Sequence, residues 1–71
     1  MRKIPLTKNM NKVFTFIIGF IKSNGQSPSF EEIKDGADLN NKSEVARYIM
    51  CLKDRGWITY ERYKKRTIQV L

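Results

Sequence analysis

A chain of 71 residues, 41% of them hydrophobic, has material for one core, so residues 1–71 read as a single domain. Its 14 Lys and Arg against 7 Asp and Glu give a net charge of +7, which makes a polyanion the expected partner. One cysteine and no histidine exclude an internal disulfide, a Cys-based or His-ligated zinc site and every His-dependent catalytic triad, so no enzyme activity and no cofactor are expected.

Arg2, Lys3, Lys8 and Lys12 load the first twelve residues with positive charge and no acid. Thr7, with Pro5 just outside, predicts the N-cap of a helix running to about Ser23, and Gly25 is a suitable stop. Met10, Val13, Phe14, Ile17 and Ile21 recur at three- and four-residue steps and share one face. Phe16, Ile18 and Phe20 widen that apolar arc. They suit a first helix that packs on two others, and Phe16 and Ile18 are also candidate dimer contacts. The apolar run 13–21 is too short to cross a bilayer and no small-residue cleavage site follows it. The expectation is a cytoplasmic, nucleoid-associated protein without a membrane partner.

Ser29-Phe30-Glu31-Glu32 is a capping box, which predicts a second helix over about 30–37 with Phe30, Ile33 and Ala37 inward. Asp38-Leu39-Asn40 makes a turn, Leu39 plugging the angle between helices. Asn41-Lys42-Ser43-Glu44 reads as a second capping box and opens a third helix that runs to about Arg55 and stops at Gly56. Val45, Tyr48, Ile49 and Leu52 form its buried stripe, while Ser43, Glu44, Arg47, Met50 and Asp54 lie opposite. Trp57 to Glu61 and Arg66 to Leu71 alternate as strands, with Ile68 and Val70 pointing the same way, and Arg62-Tyr63-Lys64-Lys65 turns between them. Three helices followed by a two-stranded β-hairpin is the order of an α+β winged helix-turn-helix.

In that fold the third helix can enter a major groove, and residues near its N-terminus reach base edges. Here those are Asn41, Lys42, Ser43, Glu44 and Arg47. Arg47 suits the O6 and N7 of guanine and Glu44 a cytosine amino group, whereas capping competes for the Asn41 side chain. The cationic turn, with Arg62, Lys64, Lys65 and Arg66, suits phosphates, which fix register without reading sequence. The free amides at the N-terminus of the second helix, near Ser27 and Ser29, are a further phosphate candidate.

From Leu6 onward the chain resembles the N-terminal DNA-binding domain of the LexA repressor family. The resemblance rests on Leu6-Thr7, Val13-Phe14, Ile17, Ile21, Pro28-Ser29, Glu32-Ile33, Leu52, Arg55-Gly56, Ile58, Arg66, Ile68 and Leu71. It implies a winged helix-turn-helix that binds double-stranded DNA, with the family's recognition-helix contacts falling on Asn41, Ser43, Glu44, Ala46 and Arg47. Two departures stand out. Ala37 and Asp38 occupy positions where the family tends to have Leu and Gly, and the wing is far more basic than the family's. The sequence stops at Leu71, where the resemblance would lead into a linker and a self-cleaving protease domain. The expectation is therefore a small bacterial or phage regulator, repressor-like, without the self-cleavage or dimerisation that domain supplies. Phe16, Ile18 and Tyr63 would then be the candidate dimer contacts. The competing expectation is a protein-interaction module that docks on or inhibits a partner such as the transcription machinery. A third is RNA or nonspecific DNA binding, with Trp57, Tyr60 and Tyr63 stacking on bases.

Overall fold

A computed structural model describes residues 4–62 and 64–71. In chain order these form α1 (Lys8–Asn24), α2 (Phe30–Gly36), α3 (Lys42–Asp54), β1 (Ile58–Thr59) and β2 (Gln69–Val70). The two strands pair antiparallel, Ile58 opposite Val70 and Thr59 opposite Gln69. The architecture is a winged helix-turn-helix.

Local chemistry sets each helix end. The Thr7 hydroxyl accepts from the Met10 amide at 3.3 Å and starts α1. At α2 the reciprocal box is complete: Glu32 N–H donates to Ser29 Oγ at 3.2 Å, and Ser29 N–H donates to Glu32 Oε1 at 2.7 Å. At α3 only half of the expected box forms. Glu44 N–H donates to Asn41 Oδ1 at 2.9 Å, but the Glu44 carboxylate faces Asn40 Nδ2, 3.4 Å away, instead of returning to Asn41. A neighbouring amide side chain has captured it.

The helix-turn-helix angle depends on residue 38. Leu39 N–H donates to the Lys34 carbonyl at 2.8 Å, closing the six-residue loop that ends a helix through a left-handed residue. That residue is Asp38, at φ 58°. The same motif ends α3, where Trp57 N–H reaches the Leu52 carbonyl and Gly56 takes the left-handed position at φ 86°. Leu39 then packs half-buried against the core.

Val13, Ile17, Ile33, Val45, Ile49, Leu52 and Ile58 lose all contact with solvent, one contribution at least from each helix and from β1. At roughly 1.5–3 kcal/mol per large side chain, this small centre is the main stabilising element of the fold. Phe14 adds an edge-on contact to Trp57, ring centroids 5.2 Å apart.

Two features depart from the expected hairpin. The strands are two residues long, not five or six, because the Thr67 side chain takes over the ladder at the wing's base. Its Oγ1 accepts from Glu61 N–H at 2.9 Å and lies 3.2 and 3.3 Å from the carbonyls of Glu61 and Lys64. Arg66, at φ 56°, also interrupts the extended run. Ile68 is buried but Val70 is 42% exposed, so the core ends between them.

The N-terminal segment, without a structural role in the sequence reading, straps over the end of α3. Ile4 N–H donates to the Arg55 carbonyl at 3.1 Å, Arg55 Nη1 donates to the Pro5 carbonyl at 2.7 Å, and Trp57 Nε1 donates to the Ile4 carbonyl at 2.6 Å. No described helix is long and apolar enough to cross a membrane.

Candidate nucleic-acid interface

α3 presents its polar face outward because Val45, Ile49 and Leu52 hold the opposite face in the core. Asn41, Lys42, Ser43 and Arg47 are all exposed, and Glu44 is half-buried. The five expected base-reading positions are thus brought onto one surface, but they are not equally available. Asn41 is spent on the cap. Glu44 is engaged by Asn40. Lys42 reaches back to α2, its Nζ 3.0 Å from Glu31 Oε2. The Ser43 and Arg47 side chains make no hydrogen bond or ion pair among the described residues.

Lys42 shapes the electrostatics at the start of the reading helix. Its hydrogen bond and charge, with help from Lys34, hold the Glu31 carboxyl below its ordinary value of 4.5. Glu31 therefore stays anionic beside the α3 N-terminus.

The phosphate candidates divide. Lys64 and Lys65 stand exposed on the wing; Lys64 has a loose pairing to Glu61 at 3.7 Å, and Lys65 makes no ion pair among the described residues. Arg62 is exposed beside them. The side chains of Ser27, Ser29 and Arg66 already have partners within the chain. Ser27 is 6% exposed; its Oγ accepts from Ile68 N–H at 3.2 Å and donates to the Pro28 carbonyl at 3.1 Å, leaving no hydroxyl for a phosphate. Ser29 spends both its amide and its hydroxyl on Glu32. Arg66 Nη1 lies 2.8 Å from Glu32 Oε1 and Nη2 lies 3.3 Å from Oε2, while Nη1 also donates to the Ser27 carbonyl. Its two-pronged grip ties the wing to α2, and it puts a carboxylate where a phosphate was expected. The Ser29 amide and the Arg66 guanidinium together hold the Glu32 carboxyl below its ordinary 4.5.

Of the dimer candidates, Phe16 and Ile18 are half-buried and pack against the chain's own core, with the Phe16 ring lying over Gly36. Tyr63 lies outside the described residues. Trp57 and Tyr60, considered as base-stacking platforms, also pack against the core.

Among the features of this surface that escaped the sequence reading are the Thr67 clasp, the Arg66–Glu32 grip and the stacking of Lys53 Nζ over the Tyr60 ring at 5.3 Å. Each joins residues on different elements or across a loop, so no periodicity announces them.

Comparison with known proteins agrees with this geometry. The family model of the LexA DNA binding domain matches residues 3–67. The chain belongs to the LexA DNA-binding domain family. Relatives include LexA repressors of Novosphingobium aromaticivorans, 41% identical over 66 residues, and of Pelagibacter ubique, 38% identical over 66 residues. Both alignments cover 93% of this chain, and 28% and 29% of those repressors. A third, from Koribacter versatilis, is 34% identical over 68 residues, covering 96% of this chain and 32% of its own. The chain spans less than a third of the length of these curated relatives, and what matches is their DNA-binding part.

Proposed function

We propose that this LexA-type domain binds double-stranded DNA in a sequence-specific way and regulates transcription as a repressor does. In this reading α3 enters the major groove, Arg47 and Ser43 lead the base contacts, and Lys64, Lys65 and Arg62 rest on flanking phosphates. The observation that carries it is Arg47. It stands exposed near the start of a helix whose other face is fixed in the core, without an ion pair among the described residues, and a cationic wing stands alongside. Guanine offers two acceptors in the major groove that match a guanidinium fork.

Asn41 in this reading acts through the cap, holding the first turn of α3 at its angle. Glu44 and Lys42 are tethered reading groups that can exchange Asn40 and Glu31 for base edges. A lone domain of this size makes few contacts, so specificity would come from two copies on paired half-sites or from a protein partner.

Selection of bound fragments from a random duplex library, repeated with Arg47→Ala, tests the reading. The parent chain should enrich a motif containing guanine. Arg47→Ala should lose roughly tenfold or more for that motif while keeping its weak, salt-sensitive binding to other sequences. Equal loss on every sequence would show that Arg47 touches only the backbone.

A further inference from the structure

Between α3, the start of α2 and the wing lies a groove of about 540 Å³. Its walls include Phe30, Ala46, Met50, Tyr60 and Ile68. Met50 is 51% exposed on the outer face of α3, a position where a polar residue would cost nothing to the core. Lys42, Lys64 and Lys65 also line the groove, against the acids Glu31 and Glu61.

We propose that this groove docks an acidic segment of a protein partner, which inserts an apolar side chain against Met50 and sets carboxylates against Lys42, Lys64 and Lys65. Charge decides among the occupants. A second copy of the chain also carries +7 and would bring cations against cations. A nucleic-acid backbone would satisfy the lysines but has only sugar carbons, and no large aliphatic or aromatic anchor, to cover Met50 and Phe30. An acidic segment with a large aliphatic or aromatic anchor satisfies both. The volume suits a few side chains, and an unbranched, polarisable Met adapts to anchors of different shape. Because Lys42 and the wing are shared, such a partner would compete with DNA. That consequence rests on the proposed DNA binding, whereas docking itself does not.

The test uses two short fluorescein-labelled synthetic peptides of equal Asp and Glu content, one with Leu and Phe anchors and one with Gln in their place. Anisotropy titration of the whole chain should show the anchored peptide binding roughly tenfold or more tightly. Met50→Gln should remove most of that advantage and leave affinity for the Gln-substituted peptide unchanged. Circular dichroism checks that the variant folds, and chemical-shift mapping on the unmodified chain should place the anchored peptide at Met50 and Phe30. Equal binding of the two peptides would overturn the proposal in favour of a general polyanion surface, and no binding of either would overturn it outright. Duplex binding by the parent chain is measured separately, so failure of the DNA reading is distinguishable from failure of this one.

Discussion

Arg66 reaches from the wing back to Glu32 on α2, closing two contacts of 2.8 and 3.3 Å between guanidinium and carboxylate. Arg66 does so from a left-handed backbone, φ 56°, that a non-glycine residue adopts only when its surroundings hold it there. Ser27 completes the attachment, since its carbonyl accepts from Arg66 and its hydroxyl accepts from Ile68 N–H. The wing is thus fixed to the front of the helix-turn-helix by groups 34 to 41 residues apart in sequence.

If the wing must be held in place to meet phosphates, Glu32→Gln should weaken DNA binding by up to roughly fivefold, the most an exposed ion pair usually supplies. Gln can still serve the capping box, so α2 should survive. Removing a negative charge near DNA would by itself strengthen binding. A rise in affinity, measured by fluorescence anisotropy, would therefore contradict the positioning role.

Acid should release the same attachment. The Glu31 and Glu32 carboxyls are held below their ordinary 4.5 in the folded chain. A depressed folded value means that the stabilisation is fully present above the unfolded value and is lost as pH falls through the folded one. Urea midpoints should accordingly be flat above about pH 5 and fall below 4.5. The Glu32→Gln variant should show a shallower fall, and an identical slope would remove Glu32 from the account.

Asp38 occupies a left-handed position that glycine fills without a Cβ penalty, and its charge sits at the C-terminal end of α2, where the helix dipole disfavours an anion. Asp38→Gly should stabilise the domain by about 1 kcal/mol, less the entropy glycine gains in the unfolded chain. Urea denaturation reads this directly. An unchanged or lowered midpoint would mean that Asp38 makes a compensating interaction.

Gly36 faces the ring of Phe16. A Cβ there would run into the Phe16 ring. Gly36→Ala should therefore destabilise the domain by about 1 kcal/mol or more despite the better helix former. In a Phe16→Ala background the same change should turn neutral or stabilising. Additive effects in this double-mutant cycle would show that the ring swings away freely.

Lys65 should contribute to DNA affinity only through charge. Lys65→Ala is expected to lower binding uniformly across sequences and to reduce the salt slope by about one. A loss confined to one motif would make Lys65 a reading group instead.

Much of this was legible in the chain. The 3.6-residue spacing of Met10, Val13, Phe14 and Ile17, and of Val45, Ile49 and Leu52, marked the buried faces. Thr7, Ser29, Gly25 and Gly56 marked helix ends. These signals are local, written within one or two turns. The hairpin was less legible, because the strand-like run 66–71 contains a left-handed residue that alternation does not reveal. That the Ser27 and Ser29 hydroxyls and the Arg66 guanidinium already have partners within the chain was not legible for a related reason: residue type advertises what a group can bind, not what already binds it.

The sequence by itself determined the fold, the polar face of α3 and the cationic character of the wing, since periodicity, capping chemistry and net charge are properties of short stretches or of composition. Only the tertiary structure decided which of those polar groups remain available. Pairings such as Arg66 with Glu32, Lys42 with Glu31 and Ser27 with Ile68 depend on elements meeting in space. A charged or hydroxyl group satisfied by such a partner contributes to shape, while one left facing water, as Arg47 is, keeps its capacity for a ligand.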